Sequence, residues 1–255
     1  MKISVIGAGA MGGTTAEGLL KQNKISVELT VSDPVAATRE KFAKLGAATT
    51  ADNAAAAKGA DVVFVVVKPW LVEQVLTGIK DALSESQKLI VIAAGVPSAK
   101  ILEWTGRKSV FLAIPNIAIA QLASMTFLVP VATSDEDTAT VKGIFDALGH
   151  TLITDEQHLG AGTTLASCGI AYAMRYIRAA SEGGVELGFK ADDAKSIVMQ
   201  TVEGAVKLLE ATGLHPEAAI DMVTTPGGVT IKGLNEMEHA GFTSAVIRGL
   251  KAGAK

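Results

Sequence analysis

Lys2-Ile3-Ser4-Val5-Ile6-Gly7-Ala8-Gly9-Ala10-Met11-Gly12 is a short apolar run that leads straight into a Gly-x-Gly-x-x-Gly pattern. The run suits a strand and the glycines a tight turn, and beyond them Ala16, Leu19 and Leu20 recur at helical spacing. Polar Lys21-Gln22-Asn23 ends that pattern and residues 27–31 form a second β-like run, so the stretch reads as one strand-helix-strand unit. In such a unit Gly7 permits the turn, Gly9 lets the backbone approach a pyrophosphate, and Gly12 lets helix and strand pack closely. Ala8, Ala10 and Met11 then complete a loop whose helix N-terminus faces the anion. In a chain with 26 glycines the spacing alone carries little weight. The strand before it, the helix after it and Asp33, closing the second strand about twenty residues on, make it a dinucleotide site.

At 255 residues the chain has room for one large domain or two ordinary ones. A net charge of −3 leaves no electrostatic footprint for nucleic acid or an anionic membrane, so the expected partners are small molecules or other protein chains. Cys168 is the only cysteine. That excludes an intrachain disulfide and a cysteine zinc cage, no metal is expected, and a reducing cytoplasm suits the chain. Lys2 and the small apolar residues after it imitate a secretory signal, but the glycines interrupt the run where a signal needs a continuous core, so no leader is expected. Residues 109–134 carry no charge and are long enough to span a bilayer. Pro115, Asn116, Gln121, Ser124 and Pro130 punctuate them, which predicts two buried strands and a loop instead.

Further β-like runs at 62–67, 89–93, 110–113, 127–131 and 151–154 alternate with helical segments at 35–45, 71–83, 98–104 and 135–148. Ser134 opens the last of these, with Asp137 three residues on. The alternation predicts an α/β fold, a Rossmann-type doubly wound parallel sheet over residues 1–155. After Asp155 the β signal vanishes. Residues 159–187 read as one long helix, 192–211 as another ended by Gly213, and 216–223, 230–240 and 242–253 as shorter ones. A helix apolar almost all round must be buried, and about a hundred residues cannot easily bury it alone. Residues 156–255 are therefore expected to form an all-helical dimerisation domain packed against a second copy.

With the usual strand order, Val67, Lys68 and Pro69 overhang the same crevice as the glycine loop, with Ala93, Ala94, Gly95 and Asn116 further along. Backbone and small side chains there would cradle ribose and nicotinamide, although Lys68 reads equally as a solvated loop charge. Ser32 and Asp33 end the second strand. A carboxylate there accepts from the adenosine ribose hydroxyls and repels a 2′-phosphate, and the nearest arginine, Arg39, lies a turn and a half into the next helix, which together favour NADH over NADPH. The alternative is that Asp33 caps that helix. In Thr224-Thr225-Pro226-Gly227-Gly228-Val229-Thr230-Ile231 a glycine pair precedes an apolar periodic segment, presenting backbone N–H groups suited to a carboxylate, with the Thr230 hydroxyl beside them. The alternative is an ordinary turn with Thr230 as an N-cap.

From Thr164 to Lys251 the chain resembles the pyrroline-5-carboxylate reductase family. The resemblance rests on Ala171-Tyr172, Glu182-Gly183-Gly184, Gln200-Thr201, His215-Pro216, Val223 to Ile231 and Gly241-Phe242. Gly7 to Gly12, Val67-Lys68-Pro69, Ala93-Ala94-Gly95-Val96, Pro115-Asn116 and Met125-Thr126 extend it over the N-terminal half. It implies hydride transfer from NADPH or NADH to the imine carbon of 1-pyrroline-5-carboxylate, giving proline. The substrate carboxylate would be held by Thr225 and the backbone of Gly227, Gly228 and Val229, and the Thr230 hydroxyl would serve the ring nitrogen as the catalytic group. It also implies a homodimer, with rings of dimers in some members.

The chain departs from the family pattern in two places. Ala166-Ser167-Cys168-Gly169-Ile170-Ala171-Tyr172 stands where Ser-Gly-Ser-Gly-Pro-Ala-Tyr is usual, and Ile117-Ala118 replaces Thr-Pro. Cys168 reads as a small replacement for serine, since no basic motif adjoins it. A hydroxy-acid dehydrogenase of the same plan would need a protein acid/base, yet no lysine lies between Lys142 and Lys190, and His150, His158, His215 and His239 fall outside the crevice motifs. A non-catalytic dinucleotide-binding sensor is the other reading, supported only by the altered segment around Cys168.

Overall fold

The computed structural model of the chain describes residues 1–254. Its packing separates two compact units, Met1–Cys168 and the chain from Gly169 onward. In the first unit β1 (Lys2–Ile6), α1 (Ala10–Lys21), β2 (Glu28–Ser32), α2 (Ala36–Lys44), β3 (Ala48–Thr50), α3 (Asn53–Ala57) and β4 (Val62–Val65) follow one another. The chain continues through α4 (Val72–Ile79), β5 (Lys88–Val91), α5 (Ser98–Thr105), β6 (Val110–Ile114), β7 (Ser124–Val131), α6 (Asp135–Asp146) and β8 (Gly149–Ile153). The strands form one sheet in the order β3-β2-β1-β4-β5-β6-β7-β8.

Alternate side chains of each strand fill opposite faces, and both faces are covered. Ile3, Val5, Phe64 and Phe145 belong to one apolar cluster, and Ile6, Val63, Val65, Leu76 and Ile101 to the other. β4 is buried along its whole length, as an unbroken apolar run requires. The Ser134 hydroxyl caps α6 by accepting from the Asp137 N–H at 3.0 Å. At the edge of the sheet where β5 and β6 begin, the buried Arg107 guanidinium donates to the carbonyls of Ser84 and Gln87, and burial lowers its pKa.

Three local expectations need correction. The sheet is not all parallel, since β6 and β7 are antiparallel. Ile114 and Ser124 are joined only through a short 3-10 helix, Ile117–Gln121, whereas a parallel crossover needs about a dozen residues or more. β3 and α3 were not expected, being three and five residues long with no apolar periodicity. The helix expected at 159–187 is a helical path of mixed pitch: α7 (Leu159–Gly162), a π-helical segment Thr163–Cys168, and α8 (Gly169–Glu186). The charge-free stretch 109–134 is indeed two strands and a loop, and no helix among the described residues is long and apolar enough to cross a membrane.

Packing carries the first unit beyond residue 155, where the boundary was expected. The Glu156 carboxylate accepts from the Ser98 N–H at 2.9 Å at the start of α5, and Asn116 Nδ2 donates to the Ala166 carbonyl at 3.4 Å. A Cβ on Gly162 would lie 2.8 Å from the Phe127 ring, so α7 lies directly against β7.

In the second unit α9 (Ala191–Thr212) follows α8 and ends at Gly213 in the left-handed conformation. α10 (Pro216–Asp221), α11 (Val229–His239) and α12 (Phe242–Gly253) complete it. α8 and α9 approach closely, since a Cβ on Gly184 would meet the Ala194 methyl at 3.0 Å, and the Tyr176 ring packs edge-on against Phe242. Yet α8, α11 and α12 bury no residue in the single chain. Tyr172, Tyr176, Met237, Phe242 and Val246 line an apolar cleft of about 580 Å³.

Helix and strand approach very closely at the first glycines. A Cβ on Gly12 would fall 1.8 Å from the Gly7 carbonyl oxygen. Gly12→Ala is therefore expected to cost roughly 2–4 kcal/mol of stability. Gly78→Ala, which meets nothing within 4 Å in α4, should instead raise stability by about 0.5–1 kcal/mol. Urea-unfolding midpoints of the two variants check both signs.

Candidate active site

The register aligns the strand ends. Ser32, Ile6, Val65, Val91 and Leu112 lie side by side across β2, β1, β4, β5 and β6. The loops that follow rise from one edge of the sheet, and the order in which strands are added switches sides between the parallel β1 and β4, where an open α/β sheet binds its ligand. Gly7, Lys68, Gly95 and Asn116 all lie on those loops, within the first unit.

Each glycine of the loop has a distinct geometric reason. Gly7 has φ +89, and a Cβ there would lie 2.5 Å from the Val66 carbonyl. Gly9 is exposed, and nothing lies within 4 Å of where its Cβ would be, which leaves the backbone approachable. Gly9 is also the N-cap of α1, with no side-chain cap and no acidic residue in the first turn. The N–H groups of Ala10, Met11 and Gly12 are thus free for an anion. This cradle, which any side chain would fill, fits a dinucleotide pyrophosphate. Ala94 and Gly95 form an exposed turn with Gly95 at φ +75, and Lys68 and Pro69 are exposed beside half-buried Val67. Trp70, next along, is 75% exposed.

Other expected contacts turn inward. Ser32 is fully buried and its hydroxyl donates to Asn53 Oδ1 at 2.7 Å. Asn116 is buried too, accepting from the Ala118 N–H through Oδ1 while Nδ2 reaches Ala166. Asp33 is 7% exposed: Oδ2 accepts from the Ala8 N–H at 2.8 Å and Oδ1 from the Val35 N–H at 2.9 Å. Asp33 thus ties the glycine loop to the turn that enters α2, without capping the helix, whose N-cap is Val35 and has no side-chain cap. One N–H bond to each oxygen leaves further lone pairs for ribose hydroxyls, so this geometry does not by itself select NADH or NADPH. Residues not expected at the crevice are Asn53 and Gln74, which with Ile6, Gly7, Pro34 and Val67 line a cleft of about 360 Å³. Asp52, capping α3 through the Ala54 and Ala55 N–H groups, was the sequence signal that could have placed Asn53 there.

In the second unit the Thr225 to Thr230 stretch forms the entrance to α11. Gly227 is left-handed at φ +72, and the Gly228 N–H donates to the Thr225 carbonyl at 2.9 Å. Gly228, not Thr230, is the N-cap; no side chain caps this helix and no acid lies in its first turn. A Cβ on Gly228 would lie 2.4 Å from Thr225 Oγ1, so glycine keeps that hydroxyl beside the helix start. Val229 is 86% exposed.

If Asp33 acts by fixing the loop, Asp33→Ala should weaken NADPH and NADH binding alike, by about tenfold. Titration of the nicotinamide fluorescence with each coenzyme distinguishes this from a ribose contact, whose loss would fall mainly on NADH.

A family model described as pyrroline-5-carboxylate reductase dimerisation matches residues 156–255, and one described as NADP oxidoreductase, coenzyme F420-dependent, matches residues 2–95. Pyrroline-5-carboxylate reductase 1 of Dictyostelium discoideum is 35% identical over 262 residues, a match that takes in 97% of this chain and 48% of that longer protein. Pyrroline-5-carboxylate reductase of Arabidopsis thaliana is 35% identical over 261 residues, covering 100% of this chain and 93% of the relative. The crystal structure of Plasmodium falciparum pyrroline carboxylate reductase with NADP bound aligns at a TM-score of 0.89 and 25% identity, over 100% of this chain and 95% of that one. The chain belongs to the pyrroline-5-carboxylate reductase family.

Proposed function

We propose that the chain is an NAD(P)H-dependent oxidoreductase that reduces the cyclic imine 1-pyrroline-5-carboxylate to L-proline, the last step of proline synthesis. The observation that carries the site assignment is the uncapped start of α11, with the Thr225 hydroxyl beside it and Thr230 in its first turn. When bound, the dinucleotide supplies the hydride. Gly7, Ala8, Gly9, Ala10, Met11 and Gly12 would hold its pyrophosphate, and Val67, Lys68, Pro69, Ala93, Ala94 and Gly95 its nicotinamide half. Ser32, Asp33 and Asn116 would support those loops from behind.

The substrate carboxylate suits the N–H groups after Gly228, which carry partial positive charge. Thr225 would contribute a hydroxyl to the same carboxylate. A protonated imine already carries the charge that makes its carbon electrophilic, so no strong general acid is demanded. Orientation and one hydrogen bond from the Thr230 hydroxyl to the ring nitrogen suffice.

Apolar side chains left exposed on α8, α9 and α12 support self-association through the second unit, in keeping with its match to a dimerisation domain. We read the assembly as a homodimer, with a ring of dimers as the larger form and a cytoplasmic setting suited to the single thiol. Thr230→Ala is expected to lower kcat with racemic 1-pyrroline-5-carboxylate by about 10–100-fold, with Thr230→Ser restoring most of it. Thr225→Ala should act chiefly on KM. Steady-state oxidation of the nicotinamide measures all three; an unchanged kcat in Thr230→Ala would remove the assignment.

A further inference from the structure

Two opposite charges flank the end of β2 without pairing, and each points the other way from what chain order suggests. The Asp33 carboxylate faces inward onto the Ala8 and Val35 N–H groups. Arg39 lies in α2, but its side chain folds back to the strand end. Its Nη1 donates to the carbonyl of Asp33 at 2.7 Å and to that of Pro34 at 2.8 Å. Those two bonds hold the guanidinium in place while Nε and Nη2 have no partner among the described residues. Pro34 also lines the 360 Å³ cleft beside Gly7. In a Rossmann-type site this is the side of the glycine loop on which the adenosine ribose sits.

We propose that Arg39 is the specificity-determining residue for the coenzyme, that it binds the 2′-phosphate of NADPH, and that the chain therefore prefers NADPH to NADH. The proposal deepens the reading of the chain as an NAD(P)H-dependent reductase and rests on it. A guanidinium offers planar, charge-assisted donors that match phosphate oxygens, and one already anchored loses little freedom on binding. The nearby carboxylates do not cancel it. Asp33 and Asp52 both accept from backbone N–H groups, at the starts of α2 and α3 respectively, so each negative charge is partly compensated. A 2′-hydroxyl carries no charge for Arg39 to recognise, so NADH binding should be nearly indifferent to it.

The test is equilibrium binding of NADPH and NADH to the purified chain without imine, read from nicotinamide fluorescence, for the wild type, Arg39→Ala and Arg39→Lys. The wild type should bind NADPH about 10–100-fold more tightly than NADH. Arg39→Ala should bring that ratio to about one through loss of NADPH affinity alone, and Arg39→Lys should keep part of it. A wild type that binds both coenzymes equally, or NADH more tightly, overturns the proposal, as does an Arg39→Ala variant that weakens both alike. On the unsubstituted protein, adenosine 2′,5′-bisphosphate should displace the coenzyme better than AMP, and equal displacement counts against a 2′-phosphate site. Because no imine is present, failure to turn over 1-pyrroline-5-carboxylate would sink the proposed reaction and leave this result standing.

Discussion

Gly7 and Gly12 are in contact through the carbonyl of one and the α-carbon of the other, and on its far side Gly7 lies against the carbonyl of Val66. That close approach brings β1, α1 and the end of β4 together with no side chain between them. The consequence is chemical as well as structural, because it leaves the first-turn N–H groups of α1 uncapped at the edge of the sheet from which the other crevice loops rise. Asp33 then fixes the loop from the β2 side through the Ala8 N–H. The pyrophosphate site proposed for this loop would thus be preorganised by backbone geometry and one buried carboxylate.

The second unit is organised by a different constraint. Its helices pack closely where small residues allow, as at Gly184 and Ala194, but leave Met174, Ile197, Met199 and Ile247 exposed. Apolar surface of that extent is unfavourable in water, and a match to a dimerisation domain covers the same residues. The α11 entrance, where the imine site is proposed, belongs to this same unit.

Much of this was legible in the sequence, for reasons that differ by residue. The glycine loop was readable because Gly7 and Gly12 answer backbone demands that no other residue meets and Gly9 leaves the loop open. β4 was readable because burial on both faces leaves an unbroken apolar run, and the Ser134 cap because its spacing is local. β3 was not, being too short for a period to show, and neither was the antiparallel β6-β7 pair, which depends on the length of a link. Asp33 was found, but its orientation was not: whether a carboxylate faces a ribose or an N–H behind it is decided by tertiary contacts. The same holds for Arg39, whose reach back to the end of β2 leaves no trace in local sequence. The π-helical segment 163–168 coincides with the departure around Cys168, a place where local propensity says little.

Hydride transfer to the imine carbon of 1-pyrroline-5-carboxylate can be followed with coenzyme carrying deuterium at both nicotinamide C4 positions, by mass and NMR analysis of the product. The expected product is L-proline with one deuterium on the δ-carbon, the former imine carbon. Proline without the label, or oxidation of coenzyme with no proline formed, would exclude this reaction on the chain.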